Sequence, residues 1–275
     1  MTQASVLLLT AAIVHGCATG DQVGSAKKQA HSTIKIPPIF TVIADSGVAE
    51  AESQKMERRV RSGMKKTAKF FGIPYQRPFR VFIFSDRVRL DAFWRARWKQ
   101  PSFRSKCWMV ASGSEDTLAI LSPKAWQRDA CDHDPEGEGH IQRLVTHELV
   151  HVHHDQLNPA NGFEGFEPIG WFVEGLATFV SGQLDDGHRA SPLEAIKLQK
   201  EPKSLANAWS GKYRYGVCGS IVKFLEHRGG RSLLKRLIRK TTAAGVYGAI
   251  GLDDQQLLGE WRSWLTSGDN ETTKK

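Results

Sequence analysis

Two histidines four residues apart, His147 and His151, enclose a glutamate, Glu148, in the run Thr146-His147-Glu148-Leu149-Val150-His151. On a helix turning about 100° per residue, positions i and i+4 project from the same side. Two imidazoles so placed can reach one metal ion at about 2.0–2.1 Å. Leu144, Ile141, Val145 and Val152 fall on an adjacent apolar arc, and Glu148 lies inside it. A carboxylate buried there without a partner costs several kcal/mol, and a neighbouring dication removes that difficulty. A second carboxylate has the same need. Trp171-Phe172-Val173-Glu174-Gly175-Leu176-Ala177-Thr178-Phe179-Val180 is apolar nearly all round, as in a helix of a domain interior, and Glu174 is its one ionisable residue. A cation held by His147 and His151 would compensate Glu174. Gly175 and Ala177 are small enough to let a neighbouring helix come close.

These residues need elements to hold them. Phe40–Ala44 and Phe79–Phe84 read as strands, rich in β-branched and aromatic residues. Ala49–Phe71 is helical in composition, with Gly72 as its stop and Pro74 beyond. Ser85 or Asp86 is placed to cap a helix running through Trp98, and Phe93, Trp94 and Trp98 are expected to serve core packing. Cys107–Ala111 and Thr117–Leu121 flank a Gly-Ser-Glu-Asp turn and predict a hairpin. Beyond, helices are expected at about 138–156, 170–182, 216–228, 230–241 and 253–266, with a short one near Leu193–Gln199. The segments 157–170 and 183–215 read as mainly irregular. The predicted class is α+β: a mixed sheet in the N-terminal half and a mainly helical C-terminal half, meeting at a cleft. The domain expected is 36–270, with a sheet-bearing part, 36–156, and a helical part, 157–270.

With 275 residues, 40% hydrophobic and 24% charged, the chain has enough apolar material for a substantial core and is not a disordered or fibrous polypeptide. The formal net charge of +9 invites a polyanionic partner. The Lys and Arg are spread along the chain, however, and no nucleic-acid motif accompanies them, so a generally basic surface is expected and no nucleic-acid role. G-x-S-x-G, P-loop and dinucleotide fingerprints are absent.

The segment Ala4–Val14 is an apolar run too short to span a bilayer and of a length suited to a secretory signal. Its ending, Val14-His15-Gly16-Cys17, resembles a bacterial lipobox, with His15 standing where a small residue is usual. The resemblance implies a signal segment 1–16, lipidation of Cys17, a flexible tether 17–35 and a protein anchored to the membrane in the cell envelope. A plain cleaved signal, giving a secreted or periplasmic protein, is the alternative. In such an oxidising compartment Cys107 and Cys131 are placed to pair, while Cys218, in an apolar helical pattern, is expected as a buried thiol.

The two motifs together, THELVHV and WFVEGLATFVSG over residues 146–182, resemble the gluzincin (peptidase MA-like) zinc metallopeptidases, whose second motif is commonly W-x-x-E-G-x-A. The metzincin continuation is absent, since 152–157 read VHHDQL. Twenty-two residues lie between His151 and Glu174, a longer spacing than in the aminopeptidase branch. The resemblance implies a zincin-like fold, Zn2+ bound by His147, His151 and Glu174, and Glu148 as general base in hydrolysis of a peptide or protein substrate. Asp155 would orient a ligand imidazole. Tyr215, with Tyr213 as second choice, would stabilise the oxyanion. His153 is expected to point away from the site and His154 to flank it. The acidic loop of Asp129, Asp132, His133 and Asp134 is expected to be solvated. The rival readings are a non-catalytic envelope binding protein that keeps this fold, and a metal site that cleaves a non-peptide amide or ester.

Overall fold

The computed structural model describes residues 39–158 and 166–267; the signal segment, the tether and Cys17 lie outside them. Four strands, β1 (Phe40–Ala44), β2 (Phe79–Phe84), β3 (Ala111–Ser114) and β4 (Thr117–Leu121), form one mixed sheet in the order β1-β2-β4-β3. The pairs β1–β2 and β2–β4 are parallel, and β3 runs antiparallel to β4 at the edge. The helices are α1 (Glu50–Phe71), α2 (Arg87–Trp98), α3 (Trp126–Asp129), α4 (Glu138–Leu157), α5 (Gly170–Ser181), α6 (Gln183–Asp186), α7 (Ser191–Lys197), α8 (Arg214–Leu237), α9 (Ala243–Ile250) and α10 (Asp254–Thr266). The class is α+β, as expected. Among the described residues no helix is long and apolar enough to cross a membrane.

Local signals set several of these boundaries. Gly72 ends α1 in the left-handed conformation (φ 64°), where a β-carbon is costly. Asp86 caps α2 by accepting from the backbone N–H of Arg89. Trp94 is fully buried and stacks on Trp98, so the aromatic run on α2 does serve packing.

Two expectations are corrected. The first hairpin strand is Ala111–Ser114, not Cys107–Ala111, and its turn is the pair Glu115-Asp116. The reason is Arg87, whose guanidinium gathers the carbonyls of Lys106, Cys107, Met109 and Asp129. Carbonyls committed to a side chain cannot join a strand ladder. The two helices expected at 216–228 and 230–241 are both present within α8, Arg214–Leu237, divided at the non-helical Gly230 (φ 63°, ψ −177°). A helix at Ala243–Ile250 was not expected from a segment with two glycines. Thr242 caps it at Gly245, and burial of Val246 and Ile250 outweighs the weak propensity.

The core has two apolar clusters. One joins the sheet with α1, α2 and α4 through residues such as Met56, Val81, Trp94, Leu118, Ile120 and Val145. The other joins α5, α8 and α10 through Phe172, Leu176, Ile221, Leu225, Leu258 and Trp261. Helix α4 serves both, giving Ile141, Leu144, Leu149 and Val152 to the first and Val150 and Leu157 to the second. Cys107 and Cys131 form a disulfide, and Cys218 is a buried free thiol, both as expected.

Candidate metal centre

Helix α4 is fastened at both ends before it carries any chemistry. Near its start, the Glu138 carboxylate accepts two bonds from Arg59 of α1, at 2.8 and 3.0 Å, and an acid in the first turn also suits the helix dipole. Near its end, the Gln156 amide takes backbone N–H groups of Gln76 and Arg77 and donates to the carbonyls of Arg77 and Glu115. Buried Asp155 accepts from the Glu115 backbone N–H at 2.9 Å. Between them, the Tyr75 hydroxyl donates to the Leu149 carbonyl. A helix held at so many points presents His147 and His151 in a fixed direction.

Helix α5 brings the third group. It crosses α8 so closely that a β-carbon at Gly175 would stand 2.4 Å from the Cys218 carbonyl oxygen. Only glycine permits that approach, and it sets Glu174 opposite the two rings. His147 Nε2 lies 3.1 Å from His151 Nε2 and 3.2 Å from Glu174 Oε2, and His151 Nε2 lies 3.6 Å from the same oxygen. Ligand atoms of a tetrahedral ion at about 2.1 Å stand about 3.4 Å from one another. The observed separations bracket that value, so His147, His151 and Glu174 can hold one metal ion, and they are the only such group among the described residues. Both imidazoles are under 10% exposed while the Glu174 side chain is 26% exposed, so the point they share opens to solvent on the glutamate side.

The outer nitrogen of His147 is also spoken for. Its Nδ1 lies 2.7 Å from Gln183 Oε1. An amide oxygen only accepts, so Nδ1 carries the proton and the Nε2 lone pair faces Glu174 and His151, the tautomer a metal requires. Gln183 follows the left-handed Gly182 (φ 88°) that ends α5, and opens α6 with its side chain on His147 of α4. No protein-family model matches the chain, and no curated protein does either. The functional reading therefore rests on the geometry.

Glu148 is buried beneath β3. A β-carbon at Gly113 would stand 2.1 Å from the Glu148 carbonyl oxygen, so strand and helix touch backbone to backbone. Burial pushes the Glu148 carboxyl up to about 7; nearby Glu174 adds to this, while His147 and the Gly113 backbone N–H draw it down. At Glu174 partial burial also raises the carboxyl, but His151 and His147 outweigh it and hold the group well below the usual carboxylate range.

Tyr215, in the first turn of α8, has its ring 6.3 Å from that of His147 and stacks on His188 at 5.4 Å. Burial, with Glu174 and Glu148 nearby, pushes its phenol up to about 12, against the opposing effect of Arg214. Tyr213 is turned elsewhere, donating to Glu194 at 2.8 Å. His153 points away as expected, bonded to the Ile73 carbonyl and stacked on Phe71. His154 is fully buried, edge-on to Phe172. In the acidic loop, Asp129 is taken by Arg87 and Arg128, and His133 pairs with His140.

Proposed function

We propose that this chain is a zinc-dependent peptidase of the gluzincin type with a zincin-like fold. The convergence of His147 Nε2, His151 Nε2 and Glu174 Oε2 within 3.6 Å carries the reading. Two nitrogens and one carboxylate oxygen suit a borderline-soft ion, and three protein ligands with an open side are the pattern of catalytic rather than structural zinc. Zinc there supplies a Lewis acid and a coordination position for water.

The remaining work falls to the chain's own groups. Glu148, with a carboxyl poised near neutrality, takes a proton from the water attacking the carbonyl and passes it to the leaving amine. The Tyr215 hydroxyl, kept protonated by its surroundings, donates to the oxygen that gains charge. Gln183 fixes the His147 tautomer; Asp155, expected to orient an imidazole, instead takes the Glu115 backbone N–H and helps fasten α4 to the β3–β4 turn. A peptide substrate is favoured over a small ester or amide because β3 is an edge strand lying directly over Glu148, and an edge strand offers backbone groups to an extended chain.

The Cys107–Cys131 disulfide supports an oxidising compartment, in keeping with lipidation at Cys17 and a place in the bacterial cell envelope.

Two measurements on purified protein test the function. Metal analysis should find about one zinc per chain, and Glu148→Gln should retain it while losing hydrolysis of a mixed peptide library. Zinc-loaded wild type that cleaves nothing in that library would return the chain to the binding-protein reading.

A further inference from the structure

Arg214 opens α8 immediately before Tyr215, and its guanidinium is packed among three aromatic rings. Cζ lies 4.8 Å from the ring centre of Trp108, 5.1 Å from Tyr215 and 5.4 Å from Trp209. Trp108 belongs to the disulfide-bonded segment just before β3, whereas Trp209 and Tyr215 belong to the helical side. The cation thus joins the two sides next to Tyr215, whose ring is 6.3 Å from that of the metal-site residue His147. It donates to the Gly211 carbonyl at 3.4 Å, a long bond, and its charge draws the Tyr215 phenol down. Among the described residues no carboxylate pairs with it, although five N–H donors are available. Aromatic faces hold a guanidinium plane without using its donors, and they keep this one in place, partly open to solvent, with donors to spare.

Its position relative to β3 indicates what those donors meet. Gly113 of β3 lies over Glu148, and the strand leads back through Ala111 to Trp108. An extended peptide crossing the cleft beside β3 therefore passes Glu148 and comes to the guanidinium. We propose that Arg214 is a specificity-determining residue that binds a carboxylate of the substrate, either an acidic side chain or a free C-terminus. This rests on the peptidase reading, and adds to it a substrate class: peptides carrying a negative charge at a fixed distance from the scissile bond.

The test uses the zinc-loaded full chain and acetylated, amidated decapeptides in which one Gln at a time is replaced by Glu. A neutral decapeptide is supplied as free acid and as amide. A Glu at one position, or the free C-terminus, should raise kcat/KM about 10- to 100-fold over its neutral counterpart, the range of a charge-assisted hydrogen bond. Added salt should shrink that ratio. Arg214→Glu should invert the preference toward Lys at the same position. The ratio is taken within one protein preparation, so partial unfolding of the variant cancels. Equal rates for all charged and neutral pairs in the wild type would overturn the assignment while leaving the peptidase standing, as would an Arg214→Glu protein with an unchanged ratio. Failure to cleave any of the peptides, charged or neutral, would end the peptidase reading and this one with it.

Discussion

Gln183 Oε1 accepts from His147 Nδ1 across 2.7 Å, joining the first residue of α6 to the metal-facing helix α4. The bond fixes both the rotation of the ring and the position of its proton. Groups in that relation to a metal ligand change affinity by about 10- to 100-fold when removed. Gln183→Ala should weaken metal binding by that factor, read by competition with a chromophoric chelator. Unchanged affinity would show that His147 needs no orienting partner.

Gly175 is required because a β-carbon there would stand 2.4 Å from the Cys218 carbonyl oxygen. Gly175→Ala should lower stability by about 3 kcal/mol, at the upper end for overpacking against backbone, and should reduce metal content as Glu174 is pushed aside. Gly259, inside α10, has open space where its β-carbon would be. Gly259→Ala should raise stability by up to about 1 kcal/mol from helix propensity alone. Urea unfolding of the two variants gives opposite signs if the packing is as described.

The buried histidines of α4 give a pH dependence. Burial depresses His153 to about 4 and His154 to about 3 from an ordinary value of 6.5. Above pH 6.5 both are neutral whether folded or unfolded, and stability is unaffected. Below it the unfolded chain takes up protons that the folded chain refuses, so stability falls as pH drops from 6.5 toward 4. Each residue contributes on the order of 1 kcal/mol per pH unit in that window. Urea midpoints measured at half-unit steps check the slope, and His153→Phe should make it shallower.

The disulfide closes a loop with a sequence separation of 24. Loop-closure entropy assigns such a cross-link about 3 kcal/mol. A Cys107→Ser, Cys131→Ser double variant should lose that much by urea unfolding. The Arg87 network across Lys106, Cys107, Met109 and Asp129 should still hold the segment, so near-ultraviolet circular dichroism of the native state should change little.

Much of this molecule was legible in its residues because the deciding interactions are short-range. The stop at Gly72, the cap at Asp86 and the pairing of His147 with His151 on one helical side each depend on neighbours within a turn or so of chain. A lone Glu174 in an apolar helix announced its need for a cation for the same reason. What lay out of reach was set by contacts between distant segments. Arg87 displaced the expected strand by taking carbonyls some twenty residues away. Gln183, outside any periodic pattern, gained its role because the left-handed Gly182 ends α5 just where the next helix meets α4. Gly113 and Arg214 acquired theirs because β3 settles on α4 and Trp108 faces α8. Backbone geometry within one element follows from its own side chains, whereas the placement of one element against another follows from packing that local patterns do not encode. The metal ligands belong to both kinds: two are given by a single helix, and the third reaches them only because Gly175 lets α5 lie against α8.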